Sequence, residues 1–95
     1  MQTFVLLCVD KPDSLDLRLA NRTAHLAYVS ERLGSVRLAG PLLDEEGQMA
    51  GSMLVLQVAD RAEAEAFAAA DPYALAGLFA RTELRRVNFT VGAIA

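Results

Sequence analysis

The stretch Thr3-Phe4-Val5-Leu6-Leu7-Cys8-Val9 decides the fold that this chain can adopt. It is short, rich in residues that favour extended backbone, and apolar at odd and even positions alike. A strand with one solvated face would alternate between apolar and polar residues, whereas this stretch needs cover on both faces. It therefore predicts a central strand, around which the rest of the chain must be arranged.

A long helix is predicted directly after this strand. The turn residues of segment 10–13 lead into it, Asp13 or Ser14 can cap its first amides, and Gly34 ends it. The helix is therefore expected over residues 15–33. Apolar residues recur along it at spacings of three, four or seven, which predicts one buried stripe. The stripe consists of Leu15, Leu19, Leu26, Val29 and Leu33.

Two further strands follow, joined by a polar turn. The first is expected over residues 35–43 and contains Gly40-Pro41. Because proline lacks the amide hydrogen that a sheet ladder requires, this strand lies at an edge of the sheet or bends there. The turn at residues 44–48 leads to a third strand over 51–58, which is apolar on nearly both faces, so the two strands should form a hairpin.

The last third of the chain predicts a second helix, a break and a final strand. Asp60 and Glu63 form a capping box that opens an alanine-rich helix reaching Ala70, and Asp71-Pro72 restarts helical structure. Over residues 85–91 apolar and polar side chains alternate. This alternation predicts an antiparallel strand with one solvated face.

The resulting order is strand, helix, strand, strand, helix, strand. This order predicts an α+β fold, a ferredoxin-like βαββαβ sandwich in which two helices cover one face of a four-stranded antiparallel sheet. Residues 1–95 have the length of a single domain of this kind. The other sheet face would remain apolar and exposed, so we expect a homodimer that packs sheet against sheet.

Composition narrows the classes of function. The chain is 54% hydrophobic and 22% charged, with a formal net charge of −3 and no long block of either sign. This profile is that of a globular protein and argues against nucleic acid as a partner. No apolar stretch approaches the roughly 20 residues of a membrane span, so we expect a soluble, cytoplasmic protein without a membrane partner. Cys8, the single cysteine, is expected to be an inert buried thiol.

His25, the only histidine, and Asp71 are the candidate reactive residues. At about 100° per residue, His25 lies roughly 80° from the centre of the apolar stripe, at the border where pockets form. An imidazole, with an ordinary pKa of about 6.5, exchanges protons at neutral pH, and a carboxylate neighbour can fix its tautomer. Both residues also have a structural interpretation, because Asp71 before Pro72 is a well-made helix start and a lone histidine at a helix border is commonly a surface residue.

Three motifs together resemble the YciI-like (YCII-related) family, and the similarity runs essentially from end to end of the chain. The motifs are Arg22-Thr-Ala-His25-Leu26, Ala39-Gly40-Pro41 and Ala70-Asp71-Pro72-Tyr73. The resemblance implies a dimeric α/β barrel made from two ferredoxin-like subunits, related in architecture to muconolactone isomerases. It also implies an active site formed by His25 and Asp71, and a few members of the family are linked to dehydrochlorination of substituted hydroquinones.

Four further residues are candidates for contact with a substrate. Arg22, one helical turn before His25, can hold an anionic substrate or can cover apolar surface with its stem. Tyr73 can offer its hydroxyl to a pocket or serve as packing. Gly40 and Pro41 either border the ligand or only shape the strand edge. Because the chain has one histidine, one cysteine and no carboxylates clustered at ligand spacing, we expect no metal and no other cofactor.

These residues support one leading hypothesis and two alternatives. The leading hypothesis is a cofactor-independent lyase or isomerase in which His25 acts as general base and then acid on a cyclic or aromatic small molecule. In this hypothesis Asp71 orients His25, and Arg22 holds negative charge on the substrate. The first alternative is a non-catalytic accessory module that binds a metabolite through the same groups. The second alternative is a purely structural dimer.

Overall fold

One antiparallel sheet with helices on one face makes up the described part of the protein. The computed structural model describes residues 1–92. Its elements are β1 (Gln2–Asp10), α1 (Leu15–Ser30), β2 (Val36–Leu43), β3 (Met49–Val58), α2 (Arg61–Ala70), α3 (Pro72–Leu75) and β4 (Phe79–Arg86). The strands lie in the order β2-β3-β1-β4, and all neighbours are antiparallel. The predicted ferredoxin-like βαββαβ arrangement is confirmed, with β2 at an edge.

β1 is the central strand that its sequence predicts. It pairs with β3 on one side and with β4 on the other. Phe4, Leu6 and Cys8 are buried in the core that the sheet forms with the helices. Burial of each large apolar side chain contributes on the order of 1.5–3 kcal/mol. The alternate residues Val5 and Leu7 lie on the opposite face of the sheet and are half-buried.

The sheet face away from the helices is apolar at its centre, as the two-sided apolar pattern of β1 and β3 indicates. Leu7 lies opposite Met53, and Leu38 of the edge strand lies opposite Val55. Leu38 and Met53 are exposed. The residues of β4 that border this apolar centre are Arg81, Glu83 and Arg85.

Gly51 allows β1 and β3 to approach each other closely near the end of β1. A β-carbon at this position would overlap with the carbonyl oxygen of Cys8 and would lie 3.1 Å from the Leu42 side chain. Because the oxygen belongs to the backbone of the central strand, it cannot move aside at low cost. The next residue, Ser52, is thereby held opposite Cys8 and within hydrogen-bond distance of Arg18 in α1.

α1 buries a face that its hydrophobic pattern does not indicate. The predicted stripe is only partly buried: Val29 packs against the core, but Leu19 and Leu26 are 50% and 47% exposed. Arg18 and His25 are instead 2% and 8% exposed. Arg18 and His25 are seven residues apart and therefore share one face of the helix. His25 thus lies within the buried face and not at its border. Both side chains are paired with carboxylates from outside the helix, and such pairing allows charged groups to be buried.

α1 is also shorter than predicted. It ends at Ser30, and a run of turns follows, so Leu33 and Gly34 lie beyond the helix. Leu33 is exposed, so packing of its side chain against the core does not stabilise a further helical turn. At the other end Ser14 is the N-cap residue, but its hydroxyl donates to the Pro12 carbonyl instead of capping α1. Neither α1 nor any other helix within residues 1–92 has the length and apolar character needed to cross a membrane.

Both predicted helix starts in the last third of the chain are confirmed. Asp60 accepts a hydrogen bond from the Glu63 amide at 2.9 Å, and the Glu63 carboxylate accepts one from the Ala59 amide at 2.8 Å. Asp71 lies between α2 and α3, and its carboxylate accepts from the Tyr73 amide at 3.0 Å. Its ψ of 129° is the extended conformation that a following proline favours. The chain therefore bends at Asp71 while the carboxylate stays buried.

The final strand lies earlier in the chain than predicted. β4 spans Phe79–Arg86 instead of residues 85–91. α3 is only four residues long, and Gly77, with a φ of 74°, turns the chain soon afterwards. Pairing with β1 therefore begins six residues before the alternating segment. Phe89 and Val91, which the alternation placed in the strand, are exposed beyond its end.

Candidate active site

His25 and Asp71 meet in the interior, where α1 faces the junction of α2 and α3. The imidazole Nδ1 lies 2.9 Å from Asp71 Oδ1 and 3.1 Å from Oδ2. Because an ionised carboxylate can only accept hydrogen bonds, Nδ1 is the nitrogen that donates to Asp71, and in the neutral imidazole the lone pair is then on Nε2. Asp71 Oδ1 also accepts from the Tyr73 amide. The same carboxylate therefore caps α3 and orients the imidazole, so its two interpretations from sequence are compatible.

The ring of Tyr73 links His25 to a second polar pair. The imidazole stacks on this ring, with 4.1 Å between the centroids and 15° between the planes. The Arg18 guanidinium also lies over the ring, with its central carbon 4.5 Å from the centroid. Tyr73 is fully buried and makes an edge contact with Phe79. Tyr73 therefore contacts both basic groups on the buried face of α1.

Arg18 is the buried cation of this region, and sequence reasoning did not select it. Its Nε and Nη2 donate to the two carboxylate oxygens of Asp10 at 2.7 and 2.9 Å, which makes a bidentate ion pair. Nη2 also donates to Ser52 Oγ at 2.9 Å. Burial by itself would lower the pKa of Arg18, but the hydrogen bonds and charge of Asp10 raise that pKa above its usual value. The guanidinium is therefore charged at every accessible pH.

A pocket of about 190 Å³ opens beside these residues. It lies between α1, the edge strand β2 and the first half of β3, and its wall is largely apolar with a few polar groups that converge there. The apolar part includes Leu26, Val29 and Met49. The polar groups are Arg18, Arg22, His25, Ser52 and Tyr73.

The structure brings the residues selected from sequence to this one pocket. Asp71 lies behind His25 and reaches the pocket only through the imidazole. Arg22 is exposed, and no ion pair within residues 1–92 includes it. The residues from the sequence-based set that border the pocket are Arg22, His25, Gly40, Pro41 and Tyr73.

Three further residues, Asp10, Arg18 and Ser52, belong to the same arrangement and were missed. A signal was present for two of them. Arg18 precedes His25 by two helical turns and therefore lies on the same helix face. Ser52 is a polar residue near the start of a largely apolar strand. Neither signal indicates the partner, because the partner lies on a different element.

Burial also sets the ionisation of two groups near the pocket. It raises the pKa of the Cys8 thiol to about 12, and the nearby Asp71 carboxylate adds to this effect. Burial likewise raises the pKa of the Tyr73 hydroxyl, although Arg18 and Arg22 act in the opposite direction. At neutral pH the thiol is therefore unreactive, and the Tyr73 hydroxyl keeps its proton and can donate a hydrogen bond.

Other depressions on the surface are larger but lack this arrangement. One of about 520 Å³ lies between the loop before α1 and the turn between β2 and β3, and it is bordered by Asp13, Asp44 and Lys11 among others. Within residues 1–92, no group of three or more His, Cys, Asp or Glu side chains is placed to hold a metal ion. We take the pocket beside His25 as the candidate active site because a buried histidine, oriented by a carboxylate, borders it.

Comparison with known sequences agrees with the fold and the motifs. Residues 2–88 match the model of the YCII-related domain. Protein YciI from Escherichia coli O6:H1 is 33% identical over 90 residues, which cover 86% of this chain and 92% of that protein. An uncharacterized protein from Haemophilus influenzae is 35% identical over 85 residues, which cover 81% of this chain and 87% of that protein.

A solved structure is similar along nearly the whole chain. It is the 5-chloro-2-hydroxyhydroquinone dehydrochlorinase from Burkholderia phenoliruptrix AC1100 in complex with 2,5-dihydroxybenzoquinone. The two chains are 33% identical and compare with a TM-score of 0.84, over 90% of this chain and 93% of the other. The family match, the sequence relatives and the shared fold lead to one conclusion: this chain belongs to the family of YCII-related domains.

Proposed function

We propose that this protein is an enzyme that processes a monocyclic small molecule by proton transfer, with His25 as general base and then general acid. One observation carries the proposal: a buried carboxylate, that of Asp71, contacts Nδ1 of a histidine that borders a pocket. This contact leaves Nε2 as the basic nitrogen. A base with a fixed tautomer, placed beside a pocket of substrate size, is what general acid–base catalysis requires.

The proton transfer uses groups of this chain alone. Nε2 of His25 takes a proton from the substrate, and Asp71 stabilises the resulting imidazolium through the hydrogen bond at Nδ1. In an elimination, the electron pair left by the proton forms a double bond while the leaving group departs with its own bonding pair. In an isomerisation, the imidazolium returns the proton to another atom of the same ring. Both reactions keep the electrons within the substrate and the leaving group.

The pocket has room for one ring with small substituents. An apolar cavity of about 150 Å³ accepts benzene. The pocket beside His25 has about 190 Å³. The solved relative is named for dehydrochlorination of 5-chloro-2-hydroxyhydroquinone, and its bound 2,5-dihydroxybenzoquinone is also a single ring with small substituents. We therefore propose hydroxylated or keto six-membered rings as the substrate class.

The proposal is tested by measuring turnover and the exchange of ring hydrogens. Chloride release from 5-chloro-2-hydroxyhydroquinone is followed without oxygen, and exchange of ring hydrogens with deuterated water is followed by proton NMR for hydroxylated benzenes. We expect His25→Ala to lose about 10²–10⁴-fold in rate, the usual contribution of a general base. Asp71→Asn should lose up to about 10⁴-fold, because an amide in place of the carboxylate can hold the imidazole in the wrong tautomer.

Thr23→Ala is the matched control. Thr23 lies on the exposed side of the same helix, two residues before His25, and its variant should keep the native rate. Full turnover in His25→Ala would contradict the proposed mechanism. Binding of these rings by the native protein, without turnover or exchange, would favour the non-catalytic binding module instead.

We also propose that the apolar sheet face joins two copies of the chain in solution. Leu7 and Met53 lie at the centre of this face, and Leu38 extends it toward the edge strand. Burial of an apolar patch is the usual reason for such a symmetric contact. Light scattering of the purified protein should give twice the mass of one chain, and a stable, soluble monomer would contradict this arrangement.

A further inference from the structure

We propose that Arg18 and Ser52 form an oxyanion-binding subsite in the pocket beside His25, and that its ligand is the ionised oxygen of a ring, a phenolate or an enolate. The inference deepens the proposed function and rests on it for the class of substrate. Binding at the subsite does not require turnover, so the two proposals can be tested separately.

Arg18 has hydrogens left to donate after its contacts within the protein are made. A guanidinium carries five N–H groups. Asp10 receives one from Nε and one from Nη2, and Ser52 receives the other from Nη2. No hydrogen bond of good geometry within residues 1–92 uses Nη1, and the side chain borders the pocket. The Tyr73 hydroxyl, which interacts with the guanidinium, can accept one Nη1 hydrogen, and the other is available to a ligand.

Ser52 supplies a second kind of donor. Its Oγ accepts a hydrogen bond from Arg18, which leaves its own hydroxyl hydrogen to be donated. The residue is buried in the sheet and borders the pocket. Its oxygen is already hydrogen-bonded to a cation, and this contact makes the hydroxyl a stronger donor. An anionic oxygen in the pocket would satisfy both Ser52 and Arg18.

The charges around the pocket favour an anion. Arg18 borders the pocket from its buried side and Arg22 from its exposed side, one helical turn apart on α1. Neither of the two buried carboxylates, Asp10 and Asp71, borders the pocket, because each lies behind the basic residue that it contacts. A wall that presents cations and hydroxyl donors while its carboxylates stand behind them attracts negative charge.

This arrangement completes the chemistry of His25. When a base removes a proton from a hydroxylated ring, negative charge develops on a ring oxygen. Donors that are already oriented toward that oxygen stabilise the charge without reorganisation, which is the strongest common contribution to catalysis of this kind. The subsite would therefore bind the ring oxygen on which negative charge develops, while His25 carries the proton that was removed from the substrate.

The affinities of 4-nitrophenolate and 4-nitroanisole test the subsite without turnover. Both are single rings of similar shape, but only the first carries an ionised oxygen at a pH above its ionisation, and its yellow colour makes binding visible in equilibrium dialysis. We expect the native protein to prefer the phenolate. Ser52→Ala should lower phenolate affinity about 10-fold, because a hydrogen bond to the charged oxygen is lost. The affinity for 4-nitroanisole should stay within about 3-fold.

A second variant removes the charge of Arg18 without leaving the Asp10 carboxylate buried and unpaired. Asp10→Asn with Arg18→Met eliminates the ion pair as a unit and should lower phenolate affinity about 100-fold, again with little effect on 4-nitroanisole. Circular dichroism first establishes whether the double variant is folded. If it is not folded, the affinities of Ser52→Ala alone test the subsite. Equal losses for both ligands would assign Arg18 and Ser52 a structural role, and an unchanged phenolate preference in Ser52→Ala would overturn the subsite.

The outcomes also separate the subsite from the proposed proton transfer. Loss of turnover in His25→Ala together with an unchanged phenolate preference in Ser52→Ala would reject the subsite and leave the proposed function standing. A phenolate preference that depends on Ser52, in a protein whose His25→Ala variant keeps full turnover, would establish the subsite and reject the mechanism.

Discussion

Two buried carboxylates contact the inner face of α1, and they hold two different kinds of base. Asp10, at the end of β1, forms a bidentate ion pair with Arg18. Asp71, between α2 and α3, contacts only one nitrogen of His25. The side chains are at most 10% exposed in both pairs, so solvent screens neither strongly.

The two pairs differ in whether the basic side chain, the guanidinium of Arg18 or the imidazole of His25, can release a proton. An arginine stays charged at any pH that the protein survives, so the pair at Asp10 can anchor the helix and attract an anion but cannot exchange a proton. An imidazole, unlike a guanidinium, can give up its proton, and for this reason we propose the pair at Asp71 for proton transfer. The buried face of α1 thus carries a permanently charged guanidinium and an imidazole, and the ring of Tyr73 contacts both.

Removal of the permanent charge should have the largest effect on stability. Arg18→Met leaves the Asp10 carboxylate buried without its partner, which costs about 3–5 kcal/mol in the free energy of unfolding. The double change Asp10→Asn with Arg18→Met should recover most of this loss. His25→Ala should cost less, because Asp71 keeps its bond to the Tyr73 amide. Urea unfolding measures the free energy of unfolding of all three variants. An unfolding midpoint in Arg18→Met equal to that of the native protein would show that the ion pair does not stabilise the fold.

The thiol of Cys8 reports on both pairs, because it is sensitive to the charges of Asp71, Arg18 and Asp10. Burial raises its pKa from 9.0 to about 12. A raised pKa in the folded state contributes stability that is fully present below pH 9.0 and is lost as the pH rises toward about 12. The loss amounts to at most about 4 kcal/mol.

Two measurements check the behaviour of this thiol. Native protein at pH 8 should resist a thiol reagent that reacts at once with the urea-unfolded chain. The stability of Cys8→Ala should fall less between pH 9 and 12 than that of the native protein. Rapid labelling of the folded chain at pH 8 would contradict the raised pKa.

Tyr73→Phe should have the smallest effect and shows which part of Tyr73 matters. The ring that stacks on His25 and lies under Arg18 is retained, and only the hydroxyl is lost. We expect a change of less than about 1 kcal/mol in the free energy of unfolding and a loss of at most about 10-fold in turnover. A loss as large as that of His25→Ala would mean that the hydroxyl acts directly on the substrate.

Much of the fold was predictable because local and tertiary preferences agree. The two-sided apolar stretch of β1 predicts its central position, and Pro41 predicts the edge position of β2. The capping residues Asp60 and Asp71 predict the starts of α2 and α3, because the hydrogen bonds involved span only two or three residues. Hydrogen bonds over two or three residues depend only on neighbouring residues, so a sequence pattern can predict them.

The errors arise where a longer-range interaction overrides a local pattern. The alternation at residues 85–91 is a valid strand pattern, but the short connection through Gly77 brings an earlier segment to β1 first. The leucines of α1 form a valid apolar stripe, yet the helix is turned so that Arg18 and His25 face inward. Periodicity assigns charged residues to solvent, because it contains no information about whether a partner carboxylate exists.

By itself the sequence determined the order of elements, the central strand and the caps of α2 and α3, and its motifs singled out His25 and Asp71. Only the tertiary structure decided which residues surround the pocket. His25 and Asp71 are 46 residues apart in the chain, Arg18 and Ser52 are 34 apart, and Arg18 and Asp10 are 8 apart across a strand and a helix. Contacts of this length depend on how the sheet places its helices, and that placement comes from packing of the whole core.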